Sequence, residues 1–172
     1  MSPRFVVLGP PGAGKTTVGR LLAERLGVAF RDTDDDVVAT AGKPISDIFT
    51  DDGEPAFRAL EERAVAEALA SHDGVLALGG GAVLAEATRA RLAGHTVVFL
   101  NVGMAEGVKR TGMSSARPLL AGVNPRATFK VLLDARLPLY REVATVEVVT
   151  DDLTPEQVVD QVLRPVGPAQ GA

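Results

Sequence analysis

Residues 9–17 read GPPGAGKTT, and this stretch decides how the rest of the chain is interpreted. It holds three glycines and two prolines, then a lysine and two threonines, and it follows the apolar run FVVL at 5–8 directly. Glycine and proline interrupt both helices and strands. Because glycine tolerates backbone conformations that other residues avoid, consecutive N–H groups in such a segment can point toward one bound group. The stretch therefore predicts an anion-holding loop between a strand and a helix.

The first eight of these residues fit the phosphate-binding P-loop pattern G-x-x-x-x-G-K-[ST]. A helix beginning near Lys15 would add the positive end of its dipole to the site. Lys15 would bring charge to the β- and γ-phosphates, and the Thr16 hydroxyl is a hard oxygen suited to Mg²⁺. A flexible turn is the alternative, which the strand–loop–helix context disfavours. We expect a nucleoside-triphosphate site, although motors, switches and small-molecule kinases all carry one.

Composition restricts the class of protein further. The chain has 172 residues, of which 46% are hydrophobic and 23% charged, as expected for one domain with a real core. No apolar run approaches the roughly 18 residues that span a bilayer, and the N-terminus shows no signal peptide. The absence of cysteine excludes disulfides and thiolate metal sites, and the net charge of −4 argues against nucleic-acid binding. We expect a cytoplasmic protein without nucleic-acid or membrane partners.

Short apolar runs alternate with helix-like stretches along the whole chain. The runs expected to be strands are FVVLG at 5–9, VAF at 28–30, VLAL at 75–78, TVVFLNV at 96–102 and ATVEVV at 144–149. Helices are expected over 15–26, ending at Gly27, over 55–70, over about 125–142 with a disturbance at Pro138, and from the capping box at 154–157. Strands that alternate with helices predict an α/β fold with a parallel sheet.

Two carboxylates follow the second predicted strand, in the segment RDTDDD at 31–36. Asp32 and Asp34 are two residues apart, so they would share one side of an extended chain. At the carboxyl end of a parallel strand they would face the P-loop. One could hold a water of Mg²⁺ and the other could accept a proton from a substrate hydroxyl. Capping of the next helix is the alternative, which we prefer for Asp35 and Asp36.

Two arginines are candidate carboxylate-binding residues, since a guanidinium can donate two parallel hydrogen bonds to a carboxylate. Arg58 lies among apolar helix residues in GEPAFRALEE at 53–62, and Arg136 lies in DARLPLYREVA. Either could instead be a helix-surface residue. For Arg58 the surface alternative is pairing with Glu61 or Glu62, and the two interpretations stay open.

Two glycine-rich or irregular segments are also candidates for ligand binding. The triple glycine Gly79-Gly80-Gly81 ends a predicted buried strand, and we favour a close approach of a ligand to its backbone over a tight turn. RTGMSSARPLL at 110–120 has turn-forming residues without periodicity and is expected to be a mobile lid. Arg117 could swing from it over the phosphates and offset transition-state charge. A surface-loop arginine is the alternative.

Taken in order, these segments closely resemble the shikimate kinase family. The match covers nearly the whole chain through GPPGAGKT, DTD, GEPAFRALEE, LGGGAV, RPLL and RLPLY. The P-loop is common to many families, but its combination with the other five segments is far more specific. The resemblance implies a P-loop, nucleoside-monophosphate-kinase-like fold. Its five-stranded parallel sheet of order 2-3-1-4-5 is flanked by helices, with a mobile lid. It also implies ATP-dependent phosphorylation of the 3-hydroxyl of shikimate, on the way to chorismate and the aromatic amino acids.

The resemblance implies roles for particular positions. Those matching shikimate-binding residues are Asp34, Arg58, Gly79, Gly80, Gly81 and Arg136. Those matching ATP-binding residues are Gly12, Ala13, Gly14, Lys15, Thr16 and Thr17. Thr16 would coordinate Mg²⁺, Asp32 would lie behind it, Arg117 would be the lid arginine and Arg110 would lie near the adenine. Lys15, Asp34 and Arg117 would be catalytic. The chain would be a monomeric single domain, 1–172, with its substrate-binding segment at about 32–61 and its lid at about 112–124.

One segment departs from the family pattern. The family often carries an arginine just before its last helix, beside the adenine, whereas this chain reads DDLTPEQ at 151–157. We expect a difference in nucleotide affinity or base selectivity and none in the chemistry. Two rival functions stay open: a related kinase such as a gluconate kinase, and a nucleotide-dependent switch that binds a partner protein. The second would leave the triple glycine and Arg136 without a role.

Overall fold

A computed structural model describes residues 3–102 and 125–164 of the chain. The strands are β1 (Phe5–Leu8), β2 (Ala29–Asp32), β3 (Gly74–Ala77), β4 (Val97–Asn101) and β5 (Val146–Val149). The helices are α1 (Lys15–Leu26), α2 (Thr33–Ala41), α3 (Ile45–Asp52), α4 (Glu54–Ser71), α5 (Glu86–Leu92), α6 (Pro125–Val143) and α7 (Pro155–Leu163). A single 3₁₀ turn, Ala82–Leu84, precedes α5. Every strand expected from the sequence is present.

Local signals in the sequence place several helix ends correctly. α1 ends at Leu26, and Gly27 follows it with φ 69°, in the left-handed region that glycine adopts readily. At the start of α7 the Thr154 side chain accepts a hydrogen bond from the Gln157 N–H while the Gln157 side chain accepts one from the Thr154 N–H. This is the predicted capping box. α6 continues through Pro138, although proline cannot donate the helical hydrogen bond there.

The five strands form one parallel sheet in the order β2-β3-β1-β4-β5, as expected. β1 lies at its centre, with Val7 opposite Ala77 of β3 and Val98 of β4. Because all strands run the same way, the loops that follow β1, β2 and β3 open at one edge of the sheet. The P-loop, the acidic segment and the triple glycine are therefore brought together there.

Both faces of the sheet are covered by helices, so its strands are almost continuously apolar. Alternate residues of β1 point to opposite sides: Val7 packs with α1 and α7, whereas Val6 and Leu8 pack with α4, α5 and α6. The two clusters lock the P-loop strand between its neighbours, since β1 is fully buried from Val6 to Leu8. This burial provides a rigid base for the loop that follows.

A smaller apolar cluster joins α2, α3 and α4 beyond the edge of the sheet. Val37, Ile48, Phe57 and Ala64 form its buried part, and the Phe49 and Phe57 rings lie 4.8 Å apart. This cluster corresponds to most of the segment expected to bind substrate. It holds the first turns of α2 and α4 beside the end of β3.

Within the described ranges, no helix is long and apolar enough to cross a membrane. The expected lid at 112–124, with Arg110 and Arg117, lies outside those ranges.

Candidate functional site

The loop after β1 has the backbone geometry of an anion cradle. Gly12 and Gly14 have φ of 83° and 88°, a region that side-chain-bearing residues rarely adopt. Gly9 lies so close to the Leu100 carbonyl of β4 that a Cβ would overlap it. Gly14 caps α1 without a side-chain hydrogen bond, and the first turn of α1 contains no acidic residue. A helix N-terminus of this kind favours an anionic ligand.

Lys15 is the first residue of α1, and its side chain folds back over the loop. Its ammonium group donates to the carbonyls of Gly9 at 2.8 Å and Pro10 at 3.3 Å. These contacts hold the charge over the cradle, within reach of an anion bound to the amides. The predicted position of Lys15 is thus consistent with phosphate binding.

Asp32 joins the P-loop helix to the acidic segment. The Thr16 hydroxyl donates to Asp32 Oδ2 at 3.3 Å, and Asp32 Oδ1 accepts the Asp34 N–H at 2.9 Å as the N-cap of α2. Asp34 lies in the first helical turn, so the expectation that both carboxylates extend from one strand is wrong. The capping preferred for Asp35 and Asp36 is performed by Asp32, because a β-region residue before the helix is the one whose side chain reaches the N-terminal amides.

The pair Thr16 and Asp32 has the donor chemistry of a magnesium site. Burial, and after it the charge of Asp34, raises the pKa of the Asp32 carboxyl. A bound cation would relieve both effects. Among the described residues there is no cluster of three acidic or imidazole ligands, so a metal here would depend on phosphate oxygens and water for the rest of its coordination.

Arg58 on α4 is held by two carboxylates of its own helix. Its Nη1 donates to Glu61 Oε1 at 2.8 Å and its Nε donates to Glu54 Oε2 at 3.2 Å. The guanidinium also lies 5.1 Å from the centre of the Phe57 ring. The pairing with Glu61 considered from the sequence is therefore present, but it is not a surface pairing, because Glu61 is only 3% exposed.

Glu61 is a site residue that the sequence interpretation did not identify. Burial raises the pKa of its carboxyl, and the neighbouring Arg58 only partly offsets this rise. A glutamate at this depth requires a charged partner. Its only sequence signal was its i,i+3 spacing from Arg58, which equally fits an exposed ion pair.

Arg136 on α6 is also buried, at 6% exposure. Burial lowers the pKa of its guanidinium, and the charge of Arg58 adds to the same effect. In the described part of the chain Arg136 makes no ion pair, in contrast to Arg58. A buried cation near a second cation is a favourable place for an anionic ligand.

The triple glycine follows β3 and provides room for these side chains. A Cβ on Gly79 would lie 2.9 Å from Asp34 Oδ1 and one on Gly81 would overlap the Arg58 guanidinium. A Cβ on Gly80 would lie 3.2 Å from Pro11 Cδ of the P-loop and 3.5 Å from Arg136 Nη1. The glycines are thus required by protein side chains as well as by any ligand. They bring Asp34, both arginines and the P-loop to one point.

Two of the cavities in this region are placed to take a ligand. The larger, of about 540 Å³, opens beside Arg136, and its lining residues are Glu54, Leu84, Ala127, Val131, Leu132, Ala135 and Arg136. The smaller, of about 210 Å³, lies on the other side of the P-loop, lined by Ala13, Gly14, Thr17, Val18, Thr150, Leu153, Pro155 and Val158. The second joins the P-loop helix to the DDLTPEQ segment. Its mostly apolar wall suits a planar base attached to the phosphates.

Comparison with known proteins gives one consistent result. The family model described as "Shikimate kinase" matches residues 11–166. A shikimate kinase from Saccharopolyspora erythraea is 75% identical over 166 residues, covering 96% of this chain and 95% of that protein. One from Salinispora arenicola is 66% identical over 162 residues, covering 94% and 96%. The solved structure "Shikimate kinase from Acinetobacter baumannii in complex with shikimate" has a TM-score of 0.90 at 37% identity, covering 95% of this chain and 91% of that one.

Proposed function

The chain belongs to the shikimate kinase family, and from that premise we propose that the site between the P-loop and the triple glycine binds shikimate and ATP face to face. The reaction is transfer of the γ-phosphoryl group of ATP to the 3-hydroxyl of shikimate, which gives shikimate 3-phosphate and ADP. The observation that carries the proposed site is the position of Gly80. A Cβ on this residue would contact both Pro11 of the P-loop and the Arg136 guanidinium.

Arg58 and Arg136 bind the carboxylate of shikimate. Both guanidiniums border the triple glycine, one at Gly81 and one at Gly80, and Arg136 has no ion-pair partner among the described residues. Their mutual repulsion, which contributes to the lowered pKa of Arg136, is relieved when a carboxylate lies between them. The cavity of about 540 Å³ beside Arg136 accommodates the ring of a small cyclic acid.

Asp34 orients the 3-hydroxyl for attack. It lies at Gly79, next to the two arginines and at the edge where the P-loop ends. Phosphoryl transfer depends mainly on in-line positioning and charge stabilisation, so a carboxylate that accepts the hydroxyl proton fixes the direction of attack. Gly79, Gly80 and Gly81 allow the ring to approach the backbone at the same place.

The nucleotide is held by the P-loop amides of residues 12–17 and by the Lys15 ammonium group. Turning Lys15 from the Gly9 carbonyl to the β- and γ-phosphates keeps its charge compensated while it binds. Thr16 and the carboxylate of Asp32 would hold Mg²⁺, which supplies charge neutralisation on the phosphates when bound. Arg110 and Arg117 keep their proposed roles near the adenine and over the phosphates.

A coupled assay of ADP formation tests this function directly. With Mg²⁺ and ATP, ADP should form only when shikimate is present, and gluconate should not replace it. Turnover with gluconate would favour the rival sugar-acid kinase, and ADP release that is independent of shikimate would favour a nucleotide switch. We also propose that the enzyme is a monomer. Equilibrium sedimentation at assay concentration tests this.

The cellular setting follows from the substrates. ATP and a biosynthetic acid meet in the cytoplasm, and we propose that the enzyme acts there, without nucleic-acid or membrane partners. Cell fractionation with an epitope tag tests the location. We further propose that the whole chain acts as one domain, with residues 112–124 as a lid. Hydrogen exchange in the presence and absence of both substrates tests the lid.

A further inference from the structure

Tyr140 is a fully buried residue whose hydroxyl reaches the substrate edge of the sheet. Its side chain is 0% exposed, and its hydroxyl donates to the Gly80 carbonyl at 2.6 Å. Its ring stacks on Phe99 of β4 with the centres 4.9 Å apart. The ring thus packs in the core, while the hydroxyl bonds to the middle glycine of the run.

Arg136 precedes Tyr140 by one turn of α6 and approaches the same glycine, because a Cβ on Gly80 would lie 3.5 Å from Arg136 Nη1. The hydroxyl donates its only proton to the Gly80 carbonyl, so toward a guanidinium it can act only as an acceptor. Burial raises the pKa of Tyr140 to about 12, while Arg136 acts in the opposite direction. The phenol therefore keeps its proton at physiological pH, and the bond to Gly80 persists.

We propose that Tyr140 is a positioning residue for substrate: its hydroxyl fixes the Gly80 backbone, against which the Arg136 guanidinium lies, and so fixes the direction in which Arg136 presents its donors to the carboxylate. This inference rests on the proposed function, in which Arg136 binds that carboxylate. The role does not require contact between Tyr140 and shikimate.

The arrangement is more than core packing. Phenylalanine would fill the same volume and keep the stacking on Phe99, and it would avoid the desolvation of a buried hydroxyl. The hydrogen bond that the structure gives this hydroxyl goes to Gly80, a residue of the proposed substrate site. Arg136 has no ion pair among the described residues, and it packs against the glycine whose carbonyl Tyr140 binds.

Tyr140→Phe tests the inference. One lost hydrogen bond should raise the KM and the calorimetric Kd for shikimate about three- to tenfold, with the KM for ATP changed less than about twofold. The control is Thr88→Val. The Thr88 hydroxyl is equally buried but makes no hydrogen bond to the described residues, so its loss should leave both KM values unchanged. An unchanged shikimate KM in Tyr140→Phe, or equal rises for both substrates, would overturn the proposal.

Coupling to Arg136 separates a positioning role from an independent one. In the background Arg136→Lys, whose ammonium lacks the planar fork, Tyr140→Phe should have a markedly smaller effect on shikimate Kd than in the wild type. If Tyr140→Phe raises the shikimate Kd by the same factor in both backgrounds, Tyr140 does not act through Arg136. Turnover of the wild type with shikimate is measured alongside. If the wild type is inactive, the proposed function is contradicted. If the wild type is active and Tyr140→Phe binds shikimate equally well, only this inference is contradicted.

A label at the same residue gives a readout that does not depend on a folded variant. Tyr140 is the only tyrosine of the chain, so growth on 3-fluorotyrosine places one fluorine beside this hydroxyl. Shikimate should shift the ¹⁹F resonance, and the shift should shrink in Arg136→Lys at saturating shikimate. A resonance that does not respond to shikimate would contradict the proposal.

Discussion

Arg58 Nη1 lies 2.8 Å from Glu61 Oε1, one turn further along α4, and the glutamate that accepts this bond is almost completely buried. With Glu54 bound to Nε, the guanidinium is fixed on its helix side before any ligand arrives. An arginine that is already ordered loses less conformational entropy on binding a carboxylate. The ion pair on α4 therefore orders the Arg58 guanidinium for ligand binding.

Conservative replacement of either arginine should weaken shikimate binding selectively. Arg58→Lys and Arg136→Lys keep the charge but lose the planar pair of donors, and a hydrogen bond to a charged group contributes about 1.5–3 kcal/mol. The KM for shikimate should rise at least tenfold with the KM for ATP nearly unchanged. Steady-state kinetics measures both. Arg141→Lys is the matched control for Arg136→Lys, because Arg141 lies on the same helix, α6, but is exposed and paired with Glu147.

Glu61→Gln should separate stability from function. It keeps the shape but removes the anion that holds Arg58, so the KM for shikimate should rise several-fold, about the effect of one charge-assisted bond. The pKa of Glu61 is raised in the folded state, so the folded chain holds this proton more tightly than the unfolded chain.

The sign of the pH dependence follows. The stability that Glu61 contributes is fully present below its unfolded pKa and is lost as pH rises through the raised folded pKa. Relative to wild type, Glu61→Gln should therefore gain stability as pH rises across that interval. Denaturant unfolding of both proteins from pH 4 to 8 measures it, and a difference that runs in the opposite direction would contradict the assigned cause.

Asp34→Asn should reduce turnover more than binding. The amide retains the size but cannot accept the hydroxyl proton, and such a group contributes typically about 10²–10⁴-fold in rate. We expect kcat to fall by at least about 100-fold, with shikimate Kd changed much less. Asp36→Asn is the control, since the Asp36 carboxylate is paired with Arg31 Nε at 2.8 Å. Full turnover in Asp34→Asn would exclude the orienting role.

Gly81→Ala should displace the Arg58 side chain without straining the backbone. Gly81 has φ −101°, which alanine adopts, but the added Cβ would lie 2.6 Å from Arg58 Cζ. Arg58 must move, so the KM for shikimate should rise about tenfold or more, the loss of a charged hydrogen bond. Gly94→Ala provides the contrast. The φ of 87° at Gly94 makes alanine destabilising there, yet the added Cβ would have no neighbour within 4 Å. The KM of this variant for shikimate should therefore be normal.

The cavity beside the P-loop predicts how the missing arginine affects the nucleotide. Leu153 lines it in the segment where the family often carries an arginine. Leu153→Arg adds a guanidinium that can stack on a base, which contributes about 1 kcal/mol, so the KM for ATP should fall about fivefold and that for shikimate should not change. Leu153→Met is the uncharged control. Equal changes in the KM for ATP and in the KM for shikimate would show that the base of the nucleotide does not bind in this cavity.

Much of the fold follows from local sequence. The alternation of five apolar runs with helices predicts a parallel α/β sheet, and the capping box at Thr154 and the glycine after Leu26 locate helix ends because these signals act within four residues. The order of strands and the assignment of particular residues to shikimate came from the family resemblance, whereas the phosphate-binding roles and the candidate carboxylates and arginines came from the residues themselves. The order is confirmed; the roles of individual residues stay predictions.

The sequence by itself determined where the phosphate loop lies, since a run of glycines before a helix has few other uses, and it supplied the arginines as candidates. Tertiary structure alone decided what surrounds them. The depth of Glu61, the shift of Asp34 from a strand into a helical turn, and the bond from Tyr140 to Gly80 depend on contacts between residues up to 60 positions apart. The physical reason is that the free energy of a charged or polar group depends on its burial and partners, and these exist only once α4, α6 and β3 have packed together.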